Sequence, residues 1–299
     1  MRFPPLLAAG ARVALISPAG PIGDDARLER AKANVRQFGW EPVVAPNALA
    51  HDGYLAGSDE LRARDLNGAI ADKTIDAVWC LRGGYGAMRL LESIDYQTLA
   101  RQPKTLIGFS DITALHAAFG RLANIVTFHG PTARQTLPPF SVESLKRAVV
   151  RAEDPCGEMP TATTLVGGTA HGRLVGGNLA LLAALVGTPY APDYSGAIVV
   201  IEDVNEAHYR IDRMLTHLRL SGALSGCAGI VFGRFTDIPP EFGDEEWTLD
   251  RVLADAARRA GVPCVSGAPF GHIDEQWTIP LGAQAELDAD ARTLIVRRS

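Results

Sequence analysis

Short, continuous apolar runs alternate with helix-like segments in the first half of the chain, and this alternation limits the fold more than any other feature. Runs that lack alternating polar residues predict strands buried on both faces, and the helices between them predict a mostly parallel sheet covered on both sides. Ligands bind such sheets at the carboxyl ends of the strands. The predicted strands are Arg12–Ser17, Glu41–Val44, Asp76–Leu81, Thr105–Gly108 and Ile125–Phe128.

The composition changes after Pro131, because four prolines fall between Thr132 and Gly168. We predict a first domain over residues 1–150, a linker over 151–165 and a second domain over 166–299. The second half is more irregular than the first. Its predicted strands are Thr169–Val175, Ala197–Glu202, Gly229–Phe235, Ala285–Asp288 and Thr293–Val296, and its predicted helices are Asn178–Val186 and Ala207–Leu220.

The chain has 299 residues, 47% of them hydrophobic and 21% charged, with a net charge of −5, as in an ordinary globular protein. The mild acidity argues against a nucleic-acid partner. The longest apolar stretches, such as Leu179–Val186, are too short to span a bilayer, and the apolar run Leu6–Ala9 is too short for a signal peptide. The four cysteines have no Cys-x-x-Cys spacing, so we expect reduced thiols.

Ser110 is the first candidate catalytic residue. The predicted strand Thr105–Gly108 is followed by Phe109 and Ser110, and a helix is predicted directly after them, over Asp111–Arg121. Such a turn exposes a serine hydroxyl and places the backbone N–H of Asp111 at a helix N-terminus, where developing negative charge is stabilised. The usual elbow has a second glycine where this chain has Ile112. The segment therefore fits either a nucleophile or a strand–helix junction with Ser110 as the N-cap.

A serine nucleophile needs a base and an acid. His272, in a loop rich in glycine and proline, and His129, which follows a predicted strand, are the candidate bases. Glu202 ends the apolar run Ala197–Glu202 and is the candidate acid, although strand ends often carry charge simply because they reach solvent. The segment Asp237–Glu246 predicts a solvated acidic loop.

Other catalytic motifs are missing from the sequence. Gly84 and Gly86 lack the third glycine of a dinucleotide-binding loop, and there is no phosphate-binding Gly-x-x-x-x-Gly-Lys-Ser/Thr motif. No metal-ligand spacing such as His-Glu-x-x-His occurs. Neither a metal nor an organic cofactor is therefore predicted.

The chain resembles the LD-carboxypeptidase family, the serine peptidases of cell-wall recycling. The resemblance rests on an ordered set of short motifs that runs through nearly the whole sequence. They are Ser17–Gly20, Leu81–Gly86, Ile107–Thr113, Phe128–Pro131, Gly176–Leu179, Ile201–Asp203, Gly271–His272 and Pro280–Gly282.

The resemblance implies a Rossmann-like first domain, a smaller α+β second domain rich in β-structure, and an active site between them. It implies that Ser110 is the nucleophile, His272 the base and Glu202 the carboxylate that orients it. The oxyanion hole would be formed by backbone N–H groups of Asp111 and of the Gly83–Gly84 loop. The weaker candidates for substrate contacts are Arg82, Tyr85, His129 and Asn178. Among them, Arg82 is the candidate for binding the terminal carboxylate.

The implied reaction is hydrolysis of the amide between meso-diaminopimelate and terminal D-alanine in murein tetrapeptides. The family also implies a cytoplasmic enzyme and a homodimer, and the charge and the short apolar stretches argue against a nucleic-acid or membrane partner. Two alternatives stay open. The same triad serves relatives that cleave peptidyl-nucleotide antibiotics of the microcin type, and a doubly wound sheet also serves non-catalytic modules that bind small ligands.

Overall fold

A parallel sheet forms the first half of the computed structural model, which describes residues 1–240 and 245–298. Its first five strands lie in the order β2-β1-β3-β4-β5, all parallel, as the continuous apolar runs predict. From β1 the chain adds β2 on one side and then β3, β4 and β5 on the other, so the direction of winding changes between β1 and β3. Ligands of doubly wound sheets bind at this point. The strands are β1 (Arg12–Ile16), β2 (Glu41–Val44), β3 (Ala77–Cys80), β4 (Thr105–Gly108) and β5 (Thr127–His129).

Helices cover both faces of this sheet, and their caps explain where they begin. Asp24 accepts a hydrogen bond from the backbone N of Arg27 at 2.8 Å, and Ser58 accepts one from that of Leu61 at 3.4 Å. The sequence predicts a helix from Asp24 or Asp25 to about Phe38, one from Ser58 to about Ala71 and the helical segment after Ser110, and the structure has all three. The sequence did not predict α3, which is only one and a half turns long. The helices are α1 (Asp25–Gln37), α2 (Asp59–Ala71), α3 (Tyr96–Arg101), α4 (Thr113–Ala118) and α5 (Pro139–Lys146).

Eight strands form the second sheet, in the order β6-β14-β13-β8-β9-β10-β11-β7. The four central strands, β8 to β11, are parallel, and the outer strands pair antiparallel with them and with each other. The strands are β6 (Gly157–Glu158), β7 (Thr163–Val166), β8 (Thr169–Asn178), β9 (Ile198–Val204), β10 (Gly229–Thr236), β11 (Cys264–Ser266), β13 (Gln284–Asp288) and β14 (Thr293–Arg297).

Three helices pack on this second sheet: α6 (Leu179–Leu185), α7 (His208–Leu220) and α8 (Leu249–Ala260). The helix α8 is absent from the sequence-based predictions, although Thr248 caps its start and Gly261 ends it in the left-handed conformation. Of the predicted loop Asp237–Glu246, residues 241–244 lie outside the described residues. The mixed α/β architecture with a β-rich second sheet confirms the predicted fold class.

The chain passes from the second sheet back to the first, and this connects the two sheets. The sixth strand of the first sheet, β12 (Ile279–Leu281), comes from the predicted second domain and pairs antiparallel with β5. Parts of the predicted linker 151–165 lie in β6 and β7 of the second sheet. The domain boundary stays a prediction. In the described residues, no helix combines the length and the apolar character needed to cross a bilayer.

Candidate active site

Ser110 lies at a sharp turn between β4 and the helical segment that follows. Its φ of 65° is in the left-handed region, which costs a non-glycine residue about 1–3 kcal/mol and is most often found at functional sites. The residue in the N-cap position is Phe109, and no side-chain capping bond is made there. Ser110 is therefore not the N-cap of this segment, and the residue is partly exposed at the turn.

Gly83 packs directly against this turn. A Cβ atom at position 83 would lie 2.9 Å from Ser110 Cβ and 3.2 Å from the backbone N of Asp111. The Gly83 carbonyl accepts a hydrogen bond from the backbone N of Gly20 at 2.9 Å, which fixes the glycine loop against the loop after β1. The loop predicted to supply the second oxyanion donor is thus in van der Waals contact with the predicted nucleophile.

His272 and Glu202 form a hydrogen-bonded pair, with 2.7 Å between Nδ1 of the imidazole and Oε2 of the carboxylate. Glu202, in β9, is fully buried, and the other carboxylate oxygen, Oε1, has no partner among the described residues. Gly271 allows this close approach, because a Cβ there would lie 3.1 Å from Glu202 Oε2. A buried carboxylate needs a partner, and here the partner is the imidazole.

This pairing leaves Nε2 of His272 to accept a proton from an alcohol. The Phe109 ring, next to Ser110 in the chain, lies 4.7 Å from the imidazole ring between centroids, so the pair sits beside the turn. Among the described residues no hydrogen bond joins the Ser110 hydroxyl to the imidazole. Catalytic hydrogen bonds are often long without substrate and tighten when it binds. The arrangement can perform acyl transfer once that bond forms.

Asp111 anchors the glycine loop to the turn with its carboxylate. Its Oδ2 accepts a hydrogen bond from the backbone N of Ala87 at 2.7 Å, just beyond the loop. Burial raises the pKa of Asp111 to about 6, and the charge of Arg62 opposes that rise. Arg62 is almost fully buried and donates to the carbonyls of Pro18 and Gly86, at 2.7 and 2.9 Å. Sequence reasoning missed Arg62, because an arginine inside a helix has no local signal of burial.

His129, the other candidate base, is fully buried in β5. Neither of its ring nitrogens has a partner among the described residues. Burial first, and then the charges of His116 and His272, hold the pKa of His129 well below its usual range. His116 is also buried and donates through Nε2 to the carbonyl of Gly108 at 2.8 Å. Since only His272 of these three has an acid partner, the structure favours His272 as the base.

Asn178, predicted to contact substrate, caps α6 and is 4% exposed. Its Oδ1 accepts from the backbone N of Leu181 at 3.3 Å, and its Nδ2 donates to Asp203 Oδ1 at 2.7 Å. Asp203 also accepts from the backbone N of Ala180 at 3.0 Å, and burial raises its pKa to about 6. These contacts hold α6 against the end of β9, next to Glu202. A role for Asn178 in substrate binding stays a prediction.

The two remaining candidates, Arg82 and Tyr85, flank the glycine loop. Arg82 donates from Nη1 to the carbonyl of Pro21 at 2.8 Å. Tyr85 is 53% exposed and packs edge-on against Tyr54, which is 69% exposed, with 5.4 Å between ring centroids. The glycine loop therefore carries a cation and one exposed tyrosine, and it contacts the Ser110 turn through Gly83.

Two family models match this chain in succession. The LD-carboxypeptidase N-terminal domain matches residues 13–130, and the LD-carboxypeptidase C-terminal domain matches residues 171–287. The chain belongs to the LD-carboxypeptidase family. This membership confirms the resemblance drawn from the motifs and makes the chain a serine-type carboxypeptidase, a hydrolase.

Individual relatives agree with the family models. The murein tetrapeptide carboxypeptidase of Pseudomonas aeruginosa is 35% identical over 299 residues, covering 93% of this chain and 94% of that protein. The crystal structure of muramoyltetrapeptide carboxypeptidase from Oxalobacter formigenes is 31% identical, with a TM-score of 0.85 over 96% of this chain and 99% of that one. The microcin C7 self-immunity protein is 22% identical, with a TM-score of 0.90 over 99% and 98%. At that identity the likeness shows a shared fold.

Proposed function

We propose that this member of the LD-carboxypeptidase family removes the terminal D-alanine from murein tetrapeptides. The pairing of His272 with the buried Glu202, at 2.7 Å beside the Ser110 turn, is the observation that carries the proposal. The names of the relatives from Pseudomonas aeruginosa and Oxalobacter formigenes support the choice of substrate.

In the first half of the reaction, Ser110 Oγ attacks the carbonyl carbon of the amide that joins diaminopimelate to D-alanine. Nε2 of His272 takes the hydroxyl proton, and Glu202 stabilises the resulting imidazolium. The tetrahedral oxyanion is held by backbone N–H groups of Asp111 and of the Gly83–Gly84 loop. A general base contributes about 10²–10⁴-fold to the rate, and each oxyanion donor about 10²–10³-fold.

In the second half, the imidazolium returns its proton to the amide nitrogen, the C–N bond breaks, and D-alanine leaves as an amine. Water then attacks the ester that links the peptide to Ser110, with His272 again accepting a proton. Collapse of the second tetrahedral species returns the proton to Ser110 Oγ and releases the shortened peptide. The catalytic cycle uses only groups on the chain and one water molecule.

The test is release of D-alanine from a purified murein tetrapeptide by the wild-type chain and by two serine variants. Ser110→Ala should lose at least about 10³-fold in kcat with an unchanged circular-dichroism spectrum. Ser93→Ala, at an exposed serine that makes no side-chain contact with the candidate site among the described hydrogen bonds, is the matched control and should retain full activity. Equal turnover by Ser110→Ala and wild type would refute the assignment of the nucleophile.

A peptidyl-nucleotide of the microcin type is the comparison substrate in the same assay. If that compound is cleaved rapidly and no D-alanine is released, the substrate is the peptidyl-nucleotide and not murein, and the proposed catalytic triad is unchanged. Binding of either compound that is indifferent to Ser110 and His272, with no turnover, would favour a non-catalytic binding module.

Cytoplasmic location and a homodimer belong to the same proposal and rest on the family resemblance alone. Cell fractionation with an antibody against the chain tests the first. Light scattering of the purified protein tests the second, and a mass near the 31.9 kDa of one chain would contradict it.

A further inference from the structure

Arg82 lies across the crevice where the first sheet reverses its strand order. The loop after β1 and the loop after β3 meet there, and ligands of doubly wound sheets bind at this point. Arg82 Nε would lie 3.6 Å from a Cβ at Gly20 and 3.6 Å from a Cβ at Gly84, so its guanidinium is held between the two glycines. Its neighbour in the chain, Gly83, packs against Ser110. Arg82 therefore belongs to the same glycine loop that contacts the Ser110 turn.

A second arginine, Arg134, stands in the loop that follows β5. Hydrogen bonds fix this loop on either side of Arg134. The backbone N of Ala133 donates to the Cys80 carbonyl at 2.9 Å, and Asn34 Nδ2 donates to the carbonyls of Ala133 and Gln135 at 2.7 Å each. Arg134 is half-buried, its Nε is inaccessible to solvent, and it has no hydrogen-bond partner among the described residues. The loop is rigid, whereas the cation that it carries is unsatisfied.

Positive charges predominate among the charged groups that act on Arg134. Burial, and then the positive charges of Arg82 and Arg27, lower the pKa of Arg134 to about 10. The acid that opposes this effect, Asp24, lies 3.4 Å from Arg27 in an ion pair of its own. Within the described part of the chain, neither Arg82 nor Arg134 has a carboxylate in salt-bridge range. A half-buried cation without a counter-charge is costly, and an anionic ligand would offset that cost.

We propose that Arg82 and Arg134 together bind the carboxylate of the terminal D-amino acid of the peptide substrate. This inference rests on the proposed function. Guanidinium groups bind carboxylates through parallel N–H···O bonds, and two of them on separate fixed loops define both the position and the direction of a carboxylate. The residue that leaves carries its carboxylate within about one residue length of the scissile bond. The carboxylate must therefore bind near Ser110, and Arg82 stands in the loop that contacts Ser110 through Gly83. The pair would make the enzyme a carboxypeptidase rather than an endopeptidase.

The experiment measures binding in the inactive Ser110→Ala background, so that recognition is read without turnover. Calorimetry compares three tetrapeptides: one with free carboxylates, one amidated at the C-terminus, and one amidated only at the side-chain carboxylate of diaminopimelate. In the Ser110→Ala protein, C-terminal amidation should weaken binding about 10–10²-fold, the usual effect of losing hydrogen bonds to a charged group. Amidation of diaminopimelate should change binding less than threefold by the same reasoning.

Adding Arg82→Met or Arg134→Met should weaken binding of the free acid by about 10–10²-fold and leave binding of the C-terminal amide unchanged, so that the preference for the acid disappears. Arg134→Lys should restore part of it. Arg147→Met removes an exposed arginine that is ion-paired with Glu143, at 3.1 Å, and is the matched control.

An undiminished acid-to-amide preference in both arginine variants would overturn the proposal. A large penalty for amidation of diaminopimelate that disappears in the arginine variants would also overturn it, because the arginines would then bind the acyl side. Failure of the proposed function has a different signature. The wild-type chain would release no D-alanine, whereas the binding preferences would still report whether the arginines recognise a carboxylate.

Discussion

The contact between Gly83 and Ser110 predicts that a single methyl group at position 83 disables the enzyme. Gly83→Ala would place a Cβ 2.9 Å from Ser110 Cβ and 3.2 Å from both the Asp111 nitrogen and the Phe109 carbonyl. Ordinary contacts of this kind begin at 3.4 Å, so the glycine loop and the turn must separate by about 0.5 Å. Two of the three atoms that would be displaced are backbone atoms, which cannot move aside as a flexible side chain can.

The expected loss in kcat is about 10²-fold, or about 2.7 kcal/mol in activation free energy. A misplacement of about 1 Å costs roughly 10²-fold, and loss of one oxyanion donor costs about 10²–10³-fold. The accompanying loss of folding stability is about 1–3 kcal/mol, the usual cost of overpacking, so the variant should remain folded. The damage is therefore expected in the chemical step more than in stability or in KM.

Steady-state release of D-alanine gives kcat, and urea unfolding gives the free energy of unfolding. Gly68→Ala is the matched control, since its helical position has a negative φ and no atom within 4 Å of the added Cβ. That control should keep wild-type kcat and gain about 0.5–1 kcal/mol in stability. A folded Gly83→Ala protein with kcat within about threefold of wild type would show that the loop does not form part of the oxyanion site.

Three further predictions concern other parts of the site. Glu202→Gln should lower kcat about 10²–10⁴-fold at constant stability, because the amide no longer fixes the tautomer of His272; equal kcat in a turnover assay would contradict the pairing. The pKa of Asp203, raised to about 6, means that the folded protein binds this proton more tightly than the unfolded chain, whose group titrates near 3.8. The stability that this group contributes is therefore fully present below pH 3.8 and is lost as the pH rises through 6. Urea unfolding should show wild type gaining stability relative to Asp203→Asn between pH 7 and pH 4.5, and a parallel pH dependence would be evidence against the shift. Gly176→Ala should destabilise the protein by about 3–5 kcal/mol, because its Cβ would lie 1.9 Å from the Val200 carbonyl at a φ of 143°; an unchanged Tm would be inconsistent with that contact.

The positions of most strands in the first sheet can be predicted from the sequence, because strands buried on both faces consist of continuous apolar runs. Ala77–Cys80 and Thr105–Gly108 were predicted within one or two residues on this basis. The short helix α3 was not predicted, since six residues are too few to show an apolar stripe. The helix α8 was missed despite clear signals, namely the capping Thr248 and the terminal Gly261.

The sequence also indicates some residues of the candidate site and not others. Ser110 follows a predicted strand, Glu202 ends an apolar run, and His272 stands in a loop rich in glycine. These positions in the sequence indicate an edge of a sheet. Sequence alone left His129 open as the base, because burial depends on packing against Phe270 and Phe109, with ring centroids 6.1 and 6.0 Å from that of His129. Arg134 has no sequence signal at all. Its importance comes from the absence of a counter-charge in the described residues, which only three-dimensional neighbours reveal.

The path of the chain from β11 to β12 has a consequence for any attempt to divide this protein. The segment that carries His272 starts in one sheet and ends in the other, and its backbone N atoms at Gln276 and Thr278 donate to the hydroxyls of Ser141 and Ser144, at 2.9 and 2.8 Å. A fragment ending near residue 150 would expose the unpaired edge of β5, a surface prone to aggregate. The chain segment that carries His272 therefore holds the two sheets together. We expect neither half of the protein to fold when it is expressed without the other.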